Sequence, residues 1–201
     1  MVATEILRNE HRVIERVLRC VAAIAERSAA EQDLNCDAAA LAIDFFRTFA
    51  DGCHHLKEEQ FLFPALEAKG WSRHQGPTGQ MLKEHRLGHE YLDALSRAVQ
   101  ENDAESFRGA AGDYISLLRE HIAKEDNVLF PMADSTLTPR DEQWLAEQFR
   151  LHEAQLTAGA HERCLQLADD LTRQLGIPSA APTEGRCCCA CSSVRREVSV
   201  D

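Results

Sequence analysis

Apolar positions recur along this chain at spacings of three and four residues, the signature of amphipathic helices. In the first stretch Leu7, His11, Ile14, Leu18, Val21 and Ala25 share one stripe, and a histidine takes one of its inward positions. A second helix is predicted over about 37–67, carrying Leu41, Phe45, Phe49, Leu56, Phe63 and Leu66. The segment 70–77 reads as a loop, with Pro77 suited to a helix start. A third helix carries Met81, Leu82, Leu92, Leu95 and Val99, and a fourth, from near Asp103, carries Phe107, Tyr114, Leu117, Leu118, Val128 and Leu129. Thr138, with Pro139 after it and Asp141 three residues on, is an N-cap that opens a fifth helix over 138–175. No run of useful length alternates as a strand does, so the chain is predicted to be all-α. The apolar period fades after Gly176, where Gly, Pro, Ser, Ala and Cys predominate, and 176–201 reads as a flexible, cysteine-rich tail.

Composition narrows the class. A chain of 201 residues suits one helical domain (1–175) with a tail, and 44% hydrophobic against 27% charged residues is enough to bury a core. The formal net charge of −11 argues against an electrostatic partnership with nucleic acid. No apolar run approaches the roughly 20 residues that span a bilayer, and the charged N-terminal stretch does not read as a secretory signal. Neither membrane nor nucleic acid is expected as a partner, and the cytoplasm is the expected compartment. Cys20, Cys36, Cys53 and Cys164 are scattered singly through helices and read as small packing residues, while Cys187, Cys188, Cys189 and Cys191 crowd together in the tail. Adjacent cysteines cannot all face one ion, so these read as incidental thiols rather than a soft-metal tether.

The chemistry lies in a repeat. Segment 54–64, HHLKEEQFLFP, matches 121–131, HIAKEDNVLFP, in its histidine, lysine, two acids, Leu-Phe and proline. A histidine and a carboxylate four residues apart stand about 6 Å apart along a helix and about 40° apart around it, so both can reach one ion or two adjacent ions. The third helix adds His85 and His89, and the first adds His11. The expected donors are therefore His11, His54, Glu58, His85, His89, His121 and Glu125. His55, Glu59 and Asp126 are the alternatives one position along. Taking 100° per residue, Glu125 shares its face with Tyr114, Leu118 and Val128, which favours it over Asp126. On the second helix the apolar face lies nearer His55 and Glu59, whereas the repeat favours His54 and Glu58. Seven donors exceed one ion's needs, and imidazole with carboxylate but no thiolate suits iron, or manganese, better than a structural zinc, although zinc is also a candidate. His74, in the loop, and His152, Glu153 and His161, in the fifth helix, are expected at the surface or behind the donors.

These motifs, over about 5–133, resemble the hemerythrin-like, HHE cation-binding proteins, and their Lys-Glu-Glu-x-x-Leu-Phe-Pro wording is similar to that of the bacterial di-iron iron–sulfur repair proteins. The resemblance implies an up-down-up-down four-helix bundle (1–133) around two non-haem iron ions bridged by carboxylates. It also implies an open position for O2, NO or peroxide. The expected function is binding or sensing of O2 or NO, or handling of iron, with a redox partner where electrons are exchanged. The alternative is a di-iron enzyme with peroxidase- or oxidase-like activity, or an iron–sulfur cluster repair role. The sequence decides neither whether the centre turns over nor whether the chain is a monomer or a dimer.

Overall fold

The computed structural model describes residues 3–31, 33–156 and 159–178, and among these there is no strand. Helix α1 is Ala3–Glu31. Helix α2 runs over 36–67 as a succession of turns of different width: Cys36–Phe45, Phe46–His55, Glu58–Leu62 and Phe63–Glu67. Helix α3 is Gly76–Gln100, and α4 covers 104–136 as Ala104–Lys124, Glu125–Leu129 and Phe130–Thr136. Helices α5, Pro139–Gln155, and α6, Ala160–Gln174, complete the fold. The fifth helix expected over 138–175 is therefore two. Gly159 takes the left-handed conformation (φ +73°) at the break, which only glycine adopts without a steric cost. The cysteine cluster 187–191 lies outside the described residues.

The helix starts are written in the sequence. Asn35 accepts a bond from the Ala38 amide, Asp103 accepts from Glu105 and Ser106, and Thr138 with Asp141 forms a reciprocal capping box. Helices α1 to α4 form the bundle: α1 packs on α2 and α4, and α3 packs on the same two. Helix α6 lies along α1 and α2, and α5 caps the far end of α1 and α2.

The core is split in two. One half joins Ile14, Leu18, Phe45, Phe46, Phe49, Leu95, Tyr114 and Leu118, and α6 adds Cys164, Ala168 and Leu171 to it. The other half joins Leu7, Leu62, Phe63, Met81, Leu129 and Phe130 with Leu145 and Phe149 of α5. Between them runs a layer of buried polar residues that includes His11, His54, Glu58, His85, His121 and Glu125.

Two expected core residues face solvent. Leu41 yields the inward face of α2 to Ala38, Ala39 and Ala42. Val128 sits in a widened turn: the Phe130 amide bonds the Glu125 carbonyl, five residues back rather than four. Each residue of such a turn advances by less than the 100° assumed above, and Val128 swings outward.

The same widening occurs at Phe63, whose amide bonds the Glu58 carbonyl. Proline explains both. Pro64 and Pro131 have no N–H and would press on the carbonyls of Gln60 and Asn127 in a regular helix, and the wide turn relieves that clash. Gly52 has a related role in the wide stretch Phe46–His55, where an added Cβ would lie 3.1 Å from the Arg47 carbonyl.

Glycine substitutions should separate by sign. At Gly79 an added Cβ would lie 2.6 Å from the backbone carbon of His74, so Gly79→Ala must displace the loop before α3. It should lower stability by about 1–3 kcal/mol in denaturant unfolding. Gly109 and Gly112 have open space at the same point, and alanine there should raise stability by about 0.5–1 kcal/mol. A stabilising Gly79→Ala would show that the loop does not lie where described.

Candidate metal centre

Five histidines converge in the polar layer: His11 from α1, His54 and His55 from α2, His85 from α3 and His121 from α4. Each is held from behind by an acid. The Nδ1 atoms of His11, His54 and His55 lie 2.9 Å from Asp126, 3.0 Å from Glu10 and 3.1 Å from Asp51. Those of His85 and His121 lie 2.6 Å from Glu59 and 3.0 Å from Glu84. A carboxylate only accepts, so every Nδ1 must carry a proton, and every Nε2 is turned inward.

The inward atoms lack ordinary partners. Both oxygens of Glu58, both of Glu125, and Nε2 of His55, His85 and His121 are buried without a hydrogen bond. The Nε2 atoms of His11 and His54 stand 3.0 Å apart, two lone pairs face to face unless a cation or proton lies between them. Glu125 Oε2 is 3.2 Å from His11 Nε2 and 3.3 Å from His121 Nε2, while Glu58 approaches His85 at 3.5 Å and His54 at 3.8 Å. Donor atoms of His55, His85 and His121 fall within 4.8 Å of one another, and so do those of His11, His54, Glu58 and Glu125. A third set, Glu58, His85, His121 and Glu125, joins the two. The donors thus form two adjacent groups, one with three histidines and one with two, with Glu58 and Glu125 lying between them. Buried, unpartnered donor atoms of this number fit metal ions.

One expected donor lies away from the cluster. His89 stands apart: its side chain is 56% exposed and its Nε2 faces Asp51 at 3.4 Å. His55 fills the third place beside His85 and His121, because the wide stretch Phe46–His55 lets two consecutive histidines face the interior. The neighbours Glu59 and Asp126 grip histidines from behind rather than facing the cation positions. Glu10, Asp51 and Glu84 have the same task and went unremarked in the sequence. A signal for two of them existed in the repeated lysine. Lys57 bonds Glu10, and Lys124 bonds Glu84 at 2.5 Å, so each repeat carries its own clamp on the acid that orients its histidine. Among the remaining histidines, His74 is exposed, His152 lies 3.3 Å from the Gly52 carbonyl and His161 lies 4.0 Å from the Cys53 sulfur.

A family model, the hemerythrin HHE cation binding domain, matches residues 2–133, which include all seven converging residues. The chain belongs to the hemerythrin HHE cation-binding family. An uncharacterized protein of Mycobacterium tuberculosis, Rv1995, is 27% identical over 184 residues, covering 87% of this chain and 71% of the relative. Iron-sulfur cluster repair protein YtfE is 34% identical over 89 residues in Edwardsiella ictaluri and 32% over 88 residues in an Escherichia coli strain. Each YtfE match covers 40% of this chain and 40% of the relative's length. No solved structure matches. In this hemerythrin-type bundle α5 and α6 lie beyond the matched region.

Electrostatics of the metal-free cluster show where protons replace cations. Burial opposes charge on His11 and His85, but the acids around each outweigh it and lift both to about 10. Burial, reinforced by the charge of Glu58, raises Glu125 to about 8. Burial lowers His121 to about 4 and holds His54 and His55 below the usual histidine value.

At pH 7 the metal-free cluster therefore holds protons on His11, His85 and Glu125, and loading with metal should release about three protons. An indicator in weakly buffered solution would count them. The number should fall as pH rises through about 8 and then about 10. Those protonated forms also stabilise the metal-free fold. Their contribution is complete below the ordinary values of 4.5 for Glu125 and 6.5 for the histidines, and it is lost as pH rises through about 8 and about 10. Release of less than one proton at pH 7 would contradict this distribution.

The place of His55 beside His85 and His121, with His89 apart, gives a second expectation. His55→Ala should weaken one metal position by roughly 10- to 100-fold, while His89→Ala should leave both unchanged. Metal content after dialysis against a weak chelator decides it, and loss of metal in His89→Ala alone would reverse the assignment.

Proposed function

We propose that this chain holds two iron ions, one by His55, His85 and His121 and the other by His11 and His54, with Glu58 and Glu125 shared, and that it binds or senses O2 or NO there. The observation that carries this reading is the set of seven buried donors whose inward lone pairs have no other use, each histidine fixed from behind by an acid. Five nitrogens with two carboxylates and no thiolate favour iron, with manganese and zinc as competitors. The two positions differ in donors supplied by the protein. The His11/His54 side has one fewer, which leaves room there for a small ligand. Iron bound here would supply a redox-active pair with affinity for diatomic ligands.

The protein's own share is to hold, orient and exclude. Leu7 and Ile14 flank His11 along α1, and with Phe130, stacked on the His11 ring at 5.4 Å, they keep bulk water from that side. The Nδ1 contacts fix each ring's tautomer and strengthen Nε2 as a donor. Only two carboxylates face the pair, so the centre carries little negative charge. That disfavours strongly oxidised iron and favours reversible binding over oxidation of an organic substrate.

A second reading, repair of iron–sulfur clusters or iron handling, draws its support from the YtfE relatives. No described helix is long and apolar enough to cross a membrane. The free thiols of Cys20, Cys36, Cys53 and Cys164 fit a reducing compartment, and we place the chain in the cytoplasm.

Protein from iron-supplied cells should contain two irons per chain. It should show near-ultraviolet charge-transfer bands when oxidised, and these should respond to azide. The reduced form should take up about one NO or O2 per pair. Catalytic breakdown of excess H2O2 would favour the enzymatic alternative. One ion or none, unchanged in His54→Ala and His121→Ala, would overturn the metal reading.

A further inference from the structure

The two halves of the repeat are clamped alike but covered differently. In one half Lys124 grips Glu84, which holds His121, and the Lys124 side chain is 42% exposed. In the other half Lys57 grips Glu10, which holds His54, and Lys57 is fully buried. What seals it is Glu153 of α5, whose Oε1 lies 2.5 Å from the Lys57 ammonium. Glu10 divides its two oxygens, Oε1 to Lys57 and Oε2 to His54. An unbroken chain of charge-assisted hydrogen bonds thus runs from α5, outside the family-matched bundle, to one metal-facing imidazole.

Glu10, Cys53, Glu153 and His161 also form a group of donors within 4.8 Å of one another. The Lys57 ammonium already supplies the positive charge between its acids, so this group does not call for a separate ion. Its consequence is instead for His54. A buried ammonium shared by two carboxylates draws on each of them only in part. With Glu153 present, Glu10 keeps enough charge on Oε2 to hold the His54 N–H. With Glu153 neutralised, Lys57 turns its full attraction on Glu10, and the grip on His54 weakens.

We propose that Glu153 is a positioning residue for the His11/His54 side of the centre, acting through Lys57 and Glu10 and not on the three-histidine side. The C-terminal helices are in this way coupled to one metal position of the pair. This rests on the two-metal reading above.

The test uses the full-length chain loaded anaerobically with two equivalents of ferrous iron-57. Ion release to a chelator and Mössbauer spectra are compared for wild type, Glu153→Gln and Lys124→Met. Glutamine keeps the size of this partly buried side chain, so the fold is retained, and unfolding of the metal-free proteins checks this. In Glu153→Gln one ion should leave roughly tenfold faster while the other keeps its wild-type rate, and one of two quadrupole doublets should shift. Lys124→Met should move the other doublet.

Equal acceleration of both ions, with a matching loss of metal-free stability, would reduce Glu153 to a structural role and overturn the inference. Unchanged release of both ions would overturn it as well, leaving the two-metal reading intact. A wild-type chain that never holds two ions would remove that reading and the inference together.

Discussion

Burying an ionisable group without a partner costs several kcal/mol, and this bundle buries seven of them face to face in its middle layer. Glu58 and Glu125 are fully buried with four oxygens unpartnered, and three imidazoles point unpartnered nitrogens at them. The rest of the structure is organised around that constraint. Large apolar cores above and below hold the layer together. A ring of five acids fixes the histidines from outside, so the inward lone pairs cannot turn away to find other partners. A site built this way is preorganised: the fold has met the cost of orientation before any cation arrives, and cations relieve the remaining cost of desolvation.

The backbone is adapted to the same end. The wide turns begin at Glu58 and at Glu125, the two glutamates that lie between the histidine groups, and each is followed by Phe-Pro. Proline forbids the regular turn, the turn widens, and the glutamate that starts it is set on the inner face while Val128 is turned out. The third wide stretch, ending at His55, brings two adjacent histidines inward where a regular helix would bring one. Local helix geometry, and not only the choice of residues, therefore sets the number of donors.

The repeat makes the centre nearly symmetric, and the added helices break that symmetry. Each half uses the same order of histidine, lysine clamp and glutamate. One lysine stays at the surface, while the other is sealed by α5. The protein nitrogens are also divided three to two. The two groups of donors therefore differ both in the number of nitrogens and in cover.

Much of this was legible in the sequence, for a physical reason: helices report themselves through periodicity and caps, which are local. The all-helical class and the bundle helices follow from spacing, and the Thr138 cap follows from its residue type ahead of Pro139. The internal repeat placed His54 with Glu58 and His121 with Glu125, because a four-residue interval fixes two side chains on one face whatever the rest of the chain does. The break at Gly159 was not legible, since a lone glycine inside an apolar period is compatible with a continuous helix.

The places of His55, beside His85 and His121, and of His89, away from them, are visible only in three dimensions. They depend on the width of the turn before His55, which leaves no trace in residue spacing. The outer acids Glu10 and Glu84, and the contact of Glu153 with Lys57, join residues 37 to 96 positions apart. Such pairings are products of helix packing, so tertiary structure alone decided them.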